Sequence, residues 1–600
     1  MNKLTKSLPF LVLLGCSGAT EEPSTTPPPP WGVPITGGTM KITKDGKHAV
    51  IADPDRDRIL SFDFDTEEVT SELALSPGDE PGRIIEDDAG RIHVSLRGGG
   101  AILTLTDAVH GTVAYRRAAC AEPRGLAYDA TGDVIHVACT SGELITFPAA
   151  DGAAVRRLEL DRDLRDVIVQ GTQLVVTRFR TAELLTLDAS GAVVSRVAPP
   201  VVHRNDFGFG GGGAPDATGV GGGQVDAVAA VAWRTIALPD GRLLISHQRQ
   251  LKAKLETDQP GGYGGGCGGG PDESAITIVS PGAGNTTFPV MPFARGALPV
   301  DVAVSPAGDQ VAFATAGNKT IHVIPMTAMG MRDDDQCGED FTGQSTDTTF
   351  NDELGSPTSV GFRDNGDLVV FYPELPGLVI RHGSEAHTVT LPGEIGYDSG
   401  RGMFHQQTAV GISCASCHPE GRDDGLVWEF NTEGLRRTQN LSGHIMERAP
   451  YHWRGDMTDL PTLMDDVFQK RMSGGVPTHS QKVSLGPWLN RLKAPAPEAA
   501  VDADAVARGA ALFESEQTQC SSCHNGELYS NKLIVDVGTG GSFKVPSLLG
   551  IGARAPYMHT GCAATLTDRF GACGGGDLHG HTSQLSAAQI ADLVAYLETL

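Results

Sequence analysis

Basic residues are scarce in this chain of 600 residues: Lys and Arg number 47 against 73 Asp and Glu, so the formal net charge is −26. Nucleic acids and anionic lipid surfaces are bound through dense Lys and Arg, and this balance disfavours both as partners. A partner attracted by charge would itself be basic. The hydrophobic content of 40% is ordinary for a globular protein, and the length allows several domains.

The N-terminal region has no apolar run long enough to span a bilayer. Lys3 and Lys6 precede an apolar run over residues 8–14, which is typical of an export signal. The run ends in Leu-Leu-Gly-Cys, which is similar to the bacterial lipobox and predicts that Cys16 is lipidated; an ordinary secretion signal is the alternative. Residues 1–15 would then be the signal peptide, and the Pro-rich residues 16–32 an extended tether. We expect a lipid-anchored protein in the envelope of a Gram-negative bacterium, at the outer membrane and facing the periplasm.

A hairpin phrase recurs over residues 33–392, in which an apolar strand, a polar turn ending in glycine and a second strand follow one another. The turn glycines of its seven occurrences are Gly46, Gly90, Gly132, Gly171, Gly241, Gly308 and Gly366. The first four glycines lie 39 to 44 residues apart, which is the length of a four-stranded propeller blade. The pattern predicts a seven-bladed β-propeller. A β-sandwich is the alternative, but it does not require one phrase at blade spacing.

Helical patterns replace the strand pattern from about residue 393, and this region contains a repeat. GRGMFHQQTAVGISCASCHPEG parallels ARGAALFESEQTQCSSCHNG, and TQNLSGHIMERAPYHWRGD parallels VPSLLGIGARAPYMHTG. We therefore expect two related helical domains, over residues 393–493 and 494–600. The last helix is predicted to begin at Ser586, with Gln589 completing a capping box.

Each copy of the repeat contains a C-x-x-C-H motif, whose cysteines and histidine share one face of a helix. The six residues are Cys414, Cys417 and His418 in the first copy and Cys520, Cys523 and His524 in the second. Two thiols can bond the vinyl groups of a haem while the adjacent imidazole ligates its iron. The motifs therefore predict two covalently bound haem c groups, with His418 and His524 as the proximal iron ligands. A zinc site would need a second paired knuckle, and a redox disulfide would not need His in both copies.

Six of the eleven cysteines remain when Cys16 and the four motif cysteines are set aside. In an oxidising compartment we expect the six to form disulfides. The sequence leaves several pairings open, with free thiols as the alternative. The favoured pairs are Cys120 with Cys139, Cys267 with Cys337, and Cys562 with Cys573.

Several phrases of the C-terminal third resemble the bacterial dihaem cytochrome c peroxidases and the related dihaem enzyme of methylamine utilisation. The phrases are LFESEQTQCSSCH and FKVPSLLGIGARAPYMHTGCAATL in the second copy, and GLRRTQNLSG and HWRGDMTDL in the first. The resemblance implies two cytochrome c-like domains in which one haem passes electrons and the other meets peroxide. It also implies that Trp453 lies between the haems, although a core aromatic is the alternative role for this residue.

This chain differs from that family at the positions of the distal iron ligands. The candidates are His444, His452 and Met472 in the first copy and Met558 and His559 in the second. Alignment of the two copies places His452 opposite Met558, both after Ala-Pro-Tyr, and this pair is favoured. Trp453 is the one candidate for a catalytic role, and no calcium site can be read from the sequence.

The sequence as a whole predicts a multidomain protein with an all-β seven-bladed propeller followed by two all-α cytochrome c-like domains. The expected function is that of an exported dihaem oxidoreductase that reduces hydrogen peroxide with electrons from a small periplasmic donor protein. The alternative is a non-catalytic electron-transfer protein whose propeller docks a redox partner. A propeller dehydrogenase with its own cofactor gains little support, because no further ligand cluster stands out from the strand pattern.

Overall fold

Strands make up most of the chain in a computed structural model that describes residues 31–205, 224–264, 270–280, 290–293, 296–329, 348–497 and 502–600. Seven antiparallel sheets follow one another along residues 40–390. Cys16, Cys267 and Cys337, the predicted signal peptide and most of the predicted tether lie outside the described residues.

The first four sheets have four strands each, in chain order. Sheet 1 comprises β1 (Met40–Ile42), β2 (His48–Asp53), β3 (Arg58–Asp63) and β4 (Glu68–Ala74). Sheet 2 comprises β5 (Pro81–Glu86), β6 (Ile92–Leu96), β7 (Ala101–Leu105) and β8 (Val113–Ala118). Sheet 3 comprises β9 (Pro123–Asp129), β10 (Val134–Cys139), β11 (Glu143–Pro148) and β12 (Arg156–Glu159). Sheet 4 comprises β13 (Leu164–Gln170), β14 (Gln173–Arg178), β15 (Leu184–Leu187) and β16 (Val193–Val197).

The fifth sheet has five strands, and the last two have four again. Sheet 5 comprises β17 (Val202–Asn205), β18 (Gln224–Ala237), β19 (Leu243–Leu251), β21 (Asp272–Val279) and β22 (Val290–Phe293), and the short β20 (Lys254–Leu255) leaves it between β19 and β21. Sheet 6 comprises β23 (Pro299–Val304), β24 (Gln310–Thr315), β25 (Thr320–Pro325) and β26 (Thr348–Phe350). Sheet 7 comprises β27 (Ser359–Phe362), β28 (Leu368–Tyr372), β29 (Gly377–His382) and β30 (Glu385–Thr390).

The seven sheets form a closed ring. Each of β1, β5, β9, β13, β18, β23 and β27 contacts the next strand of this series, and β27 returns to β1. At the closure, Thr39 N–H donates to Ser359 Oγ at 2.6 Å. In the first sheet β2 is buried throughout, whereas the outermost β4 alternates between exposed and half-buried residues, as expected of an edge strand with one face in water. The arrangement is that of a β-propeller.

The C-terminal region contains the six α-helices of the described residues. They are α1 (Ser399–His405), α2 (Cys414–Cys417), α3 (Leu460–Leu463), α4 (His479–Asn490), α5 (Ala503–Phe513) and α6 (Ala587–Leu597). A π-helical segment, Met464–Arg471, continues α3. The strands of this region are β31 (Val427–Phe430), β32 (Gly434–Arg437), β33 (Ile534–Asp536) and β34 (Ser542–Lys544).

The prediction of two all-α domains was wrong. The longest of these helices has 12 residues, and β31–β32, β33–β34 and several single 3-10 turns fill much of the space between helices. The periodicity at α1, α4, α5 and α6 is helical, but the segments between them are rich in Gly and Pro, which do not sustain a helix. The protein is therefore mostly β and propeller-like.

Two helix pairs hold the C-terminal region together, α1 with α4 and α5 with α6. The second pair approaches closely at Gly509, where a Cβ would overlap the carbonyl oxygen of Asp592. The predicted start of α6 is confirmed, because Ser586 and Gln589 form a reciprocal capping box. None of the helices in the described ranges is long and apolar enough to cross a membrane.

The segment directly after His418 is buried against the inner strands of the propeller. Arg124 of β9 and Arg165 of β13 each contact the carboxylate of Glu420 at 2.7 Å. Burial alone would raise the pKa of Glu420, but Arg124 and then Arg165 lower it below its ordinary value. Arg422 pairs with Glu122 at 2.7 Å. The carboxylate of Glu420 is thus the counter-ion of the propeller's inner arginines.

Two further contacts join the propeller to the C-terminal region. The short strand β20 leaves sheet 5 and pairs in parallel with β31. At the start of the described chain, Ile35 N–H donates to His405 Nε2 at 3.1 Å, and Trp488 Nε1–H donates to Gly32 O at 3.1 Å. The residues before the first blade therefore pack on α1 and α4, far away in the sequence.

Replacing Glu420 with Gln keeps the side chain's size but leaves Arg124 and Arg165 buried without their shared carboxylate. We expect the free energy of unfolding to fall by about 3–5 kcal/mol, the usual effect of breaking a buried ion pair. The measurement is urea unfolding followed by tryptophan fluorescence.

The matched control for this variant is Asp88→Asn, which breaks the exposed pair with Lys44, where the side chains are 48% and 62% exposed. We expect a change within about 0.5 kcal/mol for the control. Equal unfolding midpoints for Glu420→Gln and the unmodified protein would show that the buried pair does not stabilise the fold.

Candidate functional site

Two cavities in the C-terminal region each contain one C-x-x-C-H motif. The first encloses about 1570 Å³ of space free of protein atoms, its open mouth included, and the second about 1640 Å³. The predicted residues on the first cavity are Cys414, Cys417, His418, His452, Trp453 and Met472. Those on the second are Cys520, Cys523, His524, Met558, His559 and again Trp453. His444 lies on neither wall; it is exposed, with Nδ1 3.7 Å from Glu447.

Local hydrogen bonds hold the first motif in place. Ser413 and Ser416 form a capping box that starts α2, and His418 N–H donates to Cys414 O at 2.9 Å. Gln248 of β19 donates from Nε2 to Ser416 O at 3.0 Å. The propeller therefore contacts the motif directly.

The two motif histidines share one hydrogen-bonding arrangement. His418 Nδ1 lies 3.1 Å from Arg422 O, and His524 Nδ1 lies 3.0 Å from Tyr529 O. A carbonyl oxygen only accepts, so Nδ1 carries the proton in both rings and Nε2 keeps its lone pair. Burial lowers the pKa of His418 and lowers that of His524 to about 4. Both imidazoles are thus neutral at neutral pH and suited to binding a metal through Nε2.

The four motif cysteines are free thiols. Burial raises the pKa of Cys414 to about 12 and raises those of Cys417 and Cys520 as well, so these thiols stay protonated and weakly nucleophilic. Four other cysteines form disulfides, Cys120 with Cys139 and Cys562 with Cys573, with Cα–Cα distances of 6.3 and 6.2 Å. The proposed pair of Cys267 and Cys337 lies outside the described residues.

A single wall separates the two cavities. The residues that line both are Arg437, Trp453, Lys544, Pro546 and Arg554. Trp453 Nε1–H donates to Arg437 O at 2.8 Å, and Lys544 N–H donates to Trp453 O at 2.8 Å. Trp453 is therefore placed between the cavities by main-chain partners on both sides.

Buried cations lie on this wall at Lys544 and Arg554, and Arg448 lines the first cavity beside it. Burial lowers the pKa of Lys544 to about 8, of Arg448 to about 9 and of Arg554 to about 10. Within the described chain, Nε and Nη2 of Arg448 have no hydrogen-bond partner. Burying guanidinium N–H groups without a hydrogen-bond acceptor costs free energy. These cations are therefore complementary to an anionic ligand. Neither arginine was predicted from the sequence, although each begins one of the two Arg-Ala-Pro-Tyr phrases.

The favoured distal pair occupies matching positions. His452 and Met558 both have a left-handed backbone, with φ of 65° and 70°, and each follows a tyrosine that forms an isolated β-bridge, Tyr451 with Met457 and Tyr557 with Ala563. The two copies thus share one turn geometry.

The remaining ligand candidates have apolar or aromatic neighbours. Met472 packs against Val410 and Ile412. The ring of His559 stacks on Phe543 at 3.9 Å and lies 6.2 Å from Trp453. Two histidines of the second cavity, His579 and His581, were not predicted.

A buried carboxyl group lies behind the first motif. Asp424 N–H donates to Cys417 O at 3.1 Å, and Leu426 N–H donates to Asp424 Oδ1 at 2.8 Å. Burial raises the pKa of Asp424 to about 7, and it raises the pKa of the neighbouring Asp272 well above its ordinary value. Asp424 is therefore an uncompensated buried acid, in contrast to the adjacent Asp423, which pairs with Arg180 and Arg437.

Among the described residues, no group of three or more His, Cys, Asp or Glu side chains is arranged to hold a metal ion. Each cavity instead presents a pair of thiols, a neutral imidazole and buried cations. The fold and these cavities define a mostly β, propeller-like protein with two cysteine–histidine cavities in its C-terminal region.

The chain is similar to hydrazine synthase subunit gamma of Kuenenia stuttgartiensis. The two share 26% identity over 257 residues, covering 31% of this chain and 72% of the relative. No family profile matches the chain.

Solved structures resemble the chain only loosely. One chain of Kuenenia stuttgartiensis hydrazine synthase covers 60% of this chain and 99% of its own length, with 14% identity and a TM-score of 0.46. A streptogramin B lyase covers 57% of this chain and 92% of its own length, with 12% identity and a TM-score of 0.36.

The assignment to the dihaem cytochrome c peroxidase family was wrong, because the similarity that is found is to hydrazine synthase subunit gamma. For the same reason, three further predictions were wrong: peroxide reduction, the alternative of an electron-transfer cytochrome, and the cytochrome c-like domains. The assignment failed because it rested on short repeated phrases of the sequence. The repeated Ala-Pro-Tyr segments build a turn and a β-bridge, and such local geometry does not name a reaction.

The buried carboxyl of Asp424 should make stability depend on pH. Its pKa rises from 3.8 to about 7 on folding, so between those values the folded protein holds a proton that the unfolded chain has released. The stability from this group is complete below pH 3.8 and is lost as the pH rises through 7. We expect Asp424→Asn to reduce the loss of stability between pH 5 and pH 8 by at most roughly 3 kcal/mol, because about two pH units of this range lie below the folded pKa.

The measurement for Asp424→Asn is urea unfolding at both pH values, with Asp88→Asn as an exposed control. An identical pH dependence in Asp424→Asn and the unmodified protein would contradict the buried-acid assignment.

Proposed function

We propose that each cavity holds one covalently attached haem and that the protein carries out redox chemistry on a small nitrogen compound, as a relative of hydrazine synthase. The observation that carries this proposal is the pair of matching cavities, each with two free thiols and a histidine whose Nε2 is unprotonated.

The residues present suit a haem in three respects. The paired thiols of each motif can form thioether bonds to two vinyl groups, and His418 or His524 can bind iron through Nε2. The cavity walls are largely apolar, with Phe404, Leu485 and Leu489 on the first. A haem also carries two carboxylates, and the cations of the shared wall offer counter-ions for them.

The similarity to hydrazine synthase subunit gamma supports a nitrogen compound as the substrate. A haem supplies redox-active iron, and the protein's part is to bind the substrate, orient it and move protons. Lys544 is suited to proton transfer, because burial lowers its pKa to about 8. His452 lies on the first cavity with Nδ1 3.7 Å from Asp456 Oδ1, so this carboxylate can orient its ring.

The predicted location and partner complete the proposal. A lipid on Cys16 would hold the protein at the outer membrane, with the Pro-rich residues 16–32 as tether, and export suits haem c, which is attached outside the cytoplasm. A small redox protein is the proposed supplier or acceptor of electrons.

Haem attachment is tested by peptide mass spectrometry on the full chain, matured in a Gram-negative host that makes c-type cytochromes. We expect one added haem mass on the peptide of each motif. Replacing Cys520 and Cys523 with Ser should remove one haem and leave the other on Cys414 and Cys417. The matched control replaces Cys120 and Cys139 with Ser, which should leave both haems attached. Absence of haem from both motifs of the unmodified protein would overturn the proposal.

The nitrogen chemistry is tested with the haem-loaded protein. Ammonia and hydroxylamine combine to hydrazine and water, with one N–N bond formed, one N–O bond broken and no external oxidant required. We expect hydrazine to form from these two compounds, and the serine variants of the first motif to lose this activity. Haem-loaded protein that forms no hydrazine would overturn the substrate class.

A further inference from the structure

We propose that His579 is the second axial ligand of the iron in the second cavity, opposite His524. This inference rests on the proposed covalent haem, and it assigns a residue that neither the C-x-x-C-H motif nor the repeat contains.

The two imidazoles lie together on the second cavity. Their ring centroids are 6.4 Å apart, with an angle of 36° between the ring planes. His579 Nδ1 lies 3.1 Å from Gly574 O, just as His524 Nδ1 lies 3.0 Å from Tyr529 O. Because each carbonyl oxygen fixes the proton on Nδ1, both rings keep a free lone pair on Nε2. Two such rings on one cavity form a pair of metal ligands.

The distance between the rings fits a metal between them. Stacked rings would be closer, as His559 and Phe543 are at 3.9 Å. An imidazole nitrogen binds a metal at about 2.0 Å, so two such bonds and the two ring radii together span roughly 6 Å. The observed 6.4 Å is therefore the separation expected of two histidines on one iron.

Several contacts hold His579 in place. Its loop follows the 3-10 turns Ala572–Gly574 and Gly576–Leu578, and the Cys562–Cys573 disulfide fixes the start of that loop. Arg569 donates to the carbonyl oxygen of His579. His581 N–H donates to Thr518 O at 3.0 Å, two residues before Cys520. These contacts therefore hold the loop against the segment that precedes the second C-x-x-C-H motif.

The other candidates for this ligand are less well placed. Met558 occupies the position that matches His452, but it packs in the apolar cluster of Phe513, Tyr557 and Leu593. The ring of His559 lies between Phe543 and Trp453. With two histidines on its iron, the second cavity has no open coordination position, so the small substrate would bind in the first cavity.

The test is electron paramagnetic resonance and visible absorption of the oxidised full chain, after mass spectrometry has shown a haem on both motifs. We expect a low-spin bis-histidine signal that is lost in His579→Gly and restored by added imidazole, which can enter the vacated space. In His579→Met we expect the far-red absorption band of a thioether-ligated ferric haem. The control, His444→Ala, removes an exposed histidine that lies on neither cavity wall and should leave the spectrum unchanged.

Three outcomes overturn the inference. The first is a bis-histidine signal that persists in His579→Gly with both haems attached, and the second is a spectrum that changes in Met558→Ala but not in His579→Gly. Both leave the proposed function standing. The third is a second motif without haem, which overturns the inference together with the proposed haem of that cavity. Variants that bind both haems and keep the circular dichroism of the unmodified protein are folded, so misfolding is separated from ligand loss.

Discussion

The buried ion pairs between the segment after His418 and the inner strands of the propeller are the constraint on which the C-terminal region depends. Glu420 meets Arg124 and Arg165 inside the ring of sheets, and Arg422 meets Glu122. The pairing offsets the cost of taking these charges out of water. Because this segment begins one residue after His418, the same pairs set the position of the first motif relative to the propeller.

From this anchor a series of contacts leads to the wall between the cavities. Asp423 joins Arg180 of the propeller to Arg437, and Arg437 O accepts from Trp453, whose own carbonyl accepts from Lys544. The propeller is therefore more than a neighbouring domain. It supplies the counter-charges that hold the shared wall, so the two cavities are positioned by strands far away in the sequence.

The two copies of the repeat share one turn geometry but differ in the side chains that the turn carries. Matching turns carry His452 in one copy and Met558 in the other, and the next positions carry Trp453 and His559. Arg448 of the first copy corresponds to Arg554 of the second, and both arginines line the first cavity. The two copies thus have the same turn and a cation at the same position, while the residues that the turn presents differ.

Local sequence patterns determined a good part of this protein, including the strand phrase at blade spacing, the two C-x-x-C-H motifs and the capping box at Ser586. These features depend on residues close together in the chain, and their physics is contained in a few turns. The all-α expectation failed because the helical periodicity of α1 and α4 was extended over the Gly- and Pro-rich segments between them. Only the tertiary structure decided that Glu420 meets Arg165, that Arg448 and Arg554 line one cavity, and that His579 lies beside His524. Those pairings depend on how distant segments pack, and no local spacing records them.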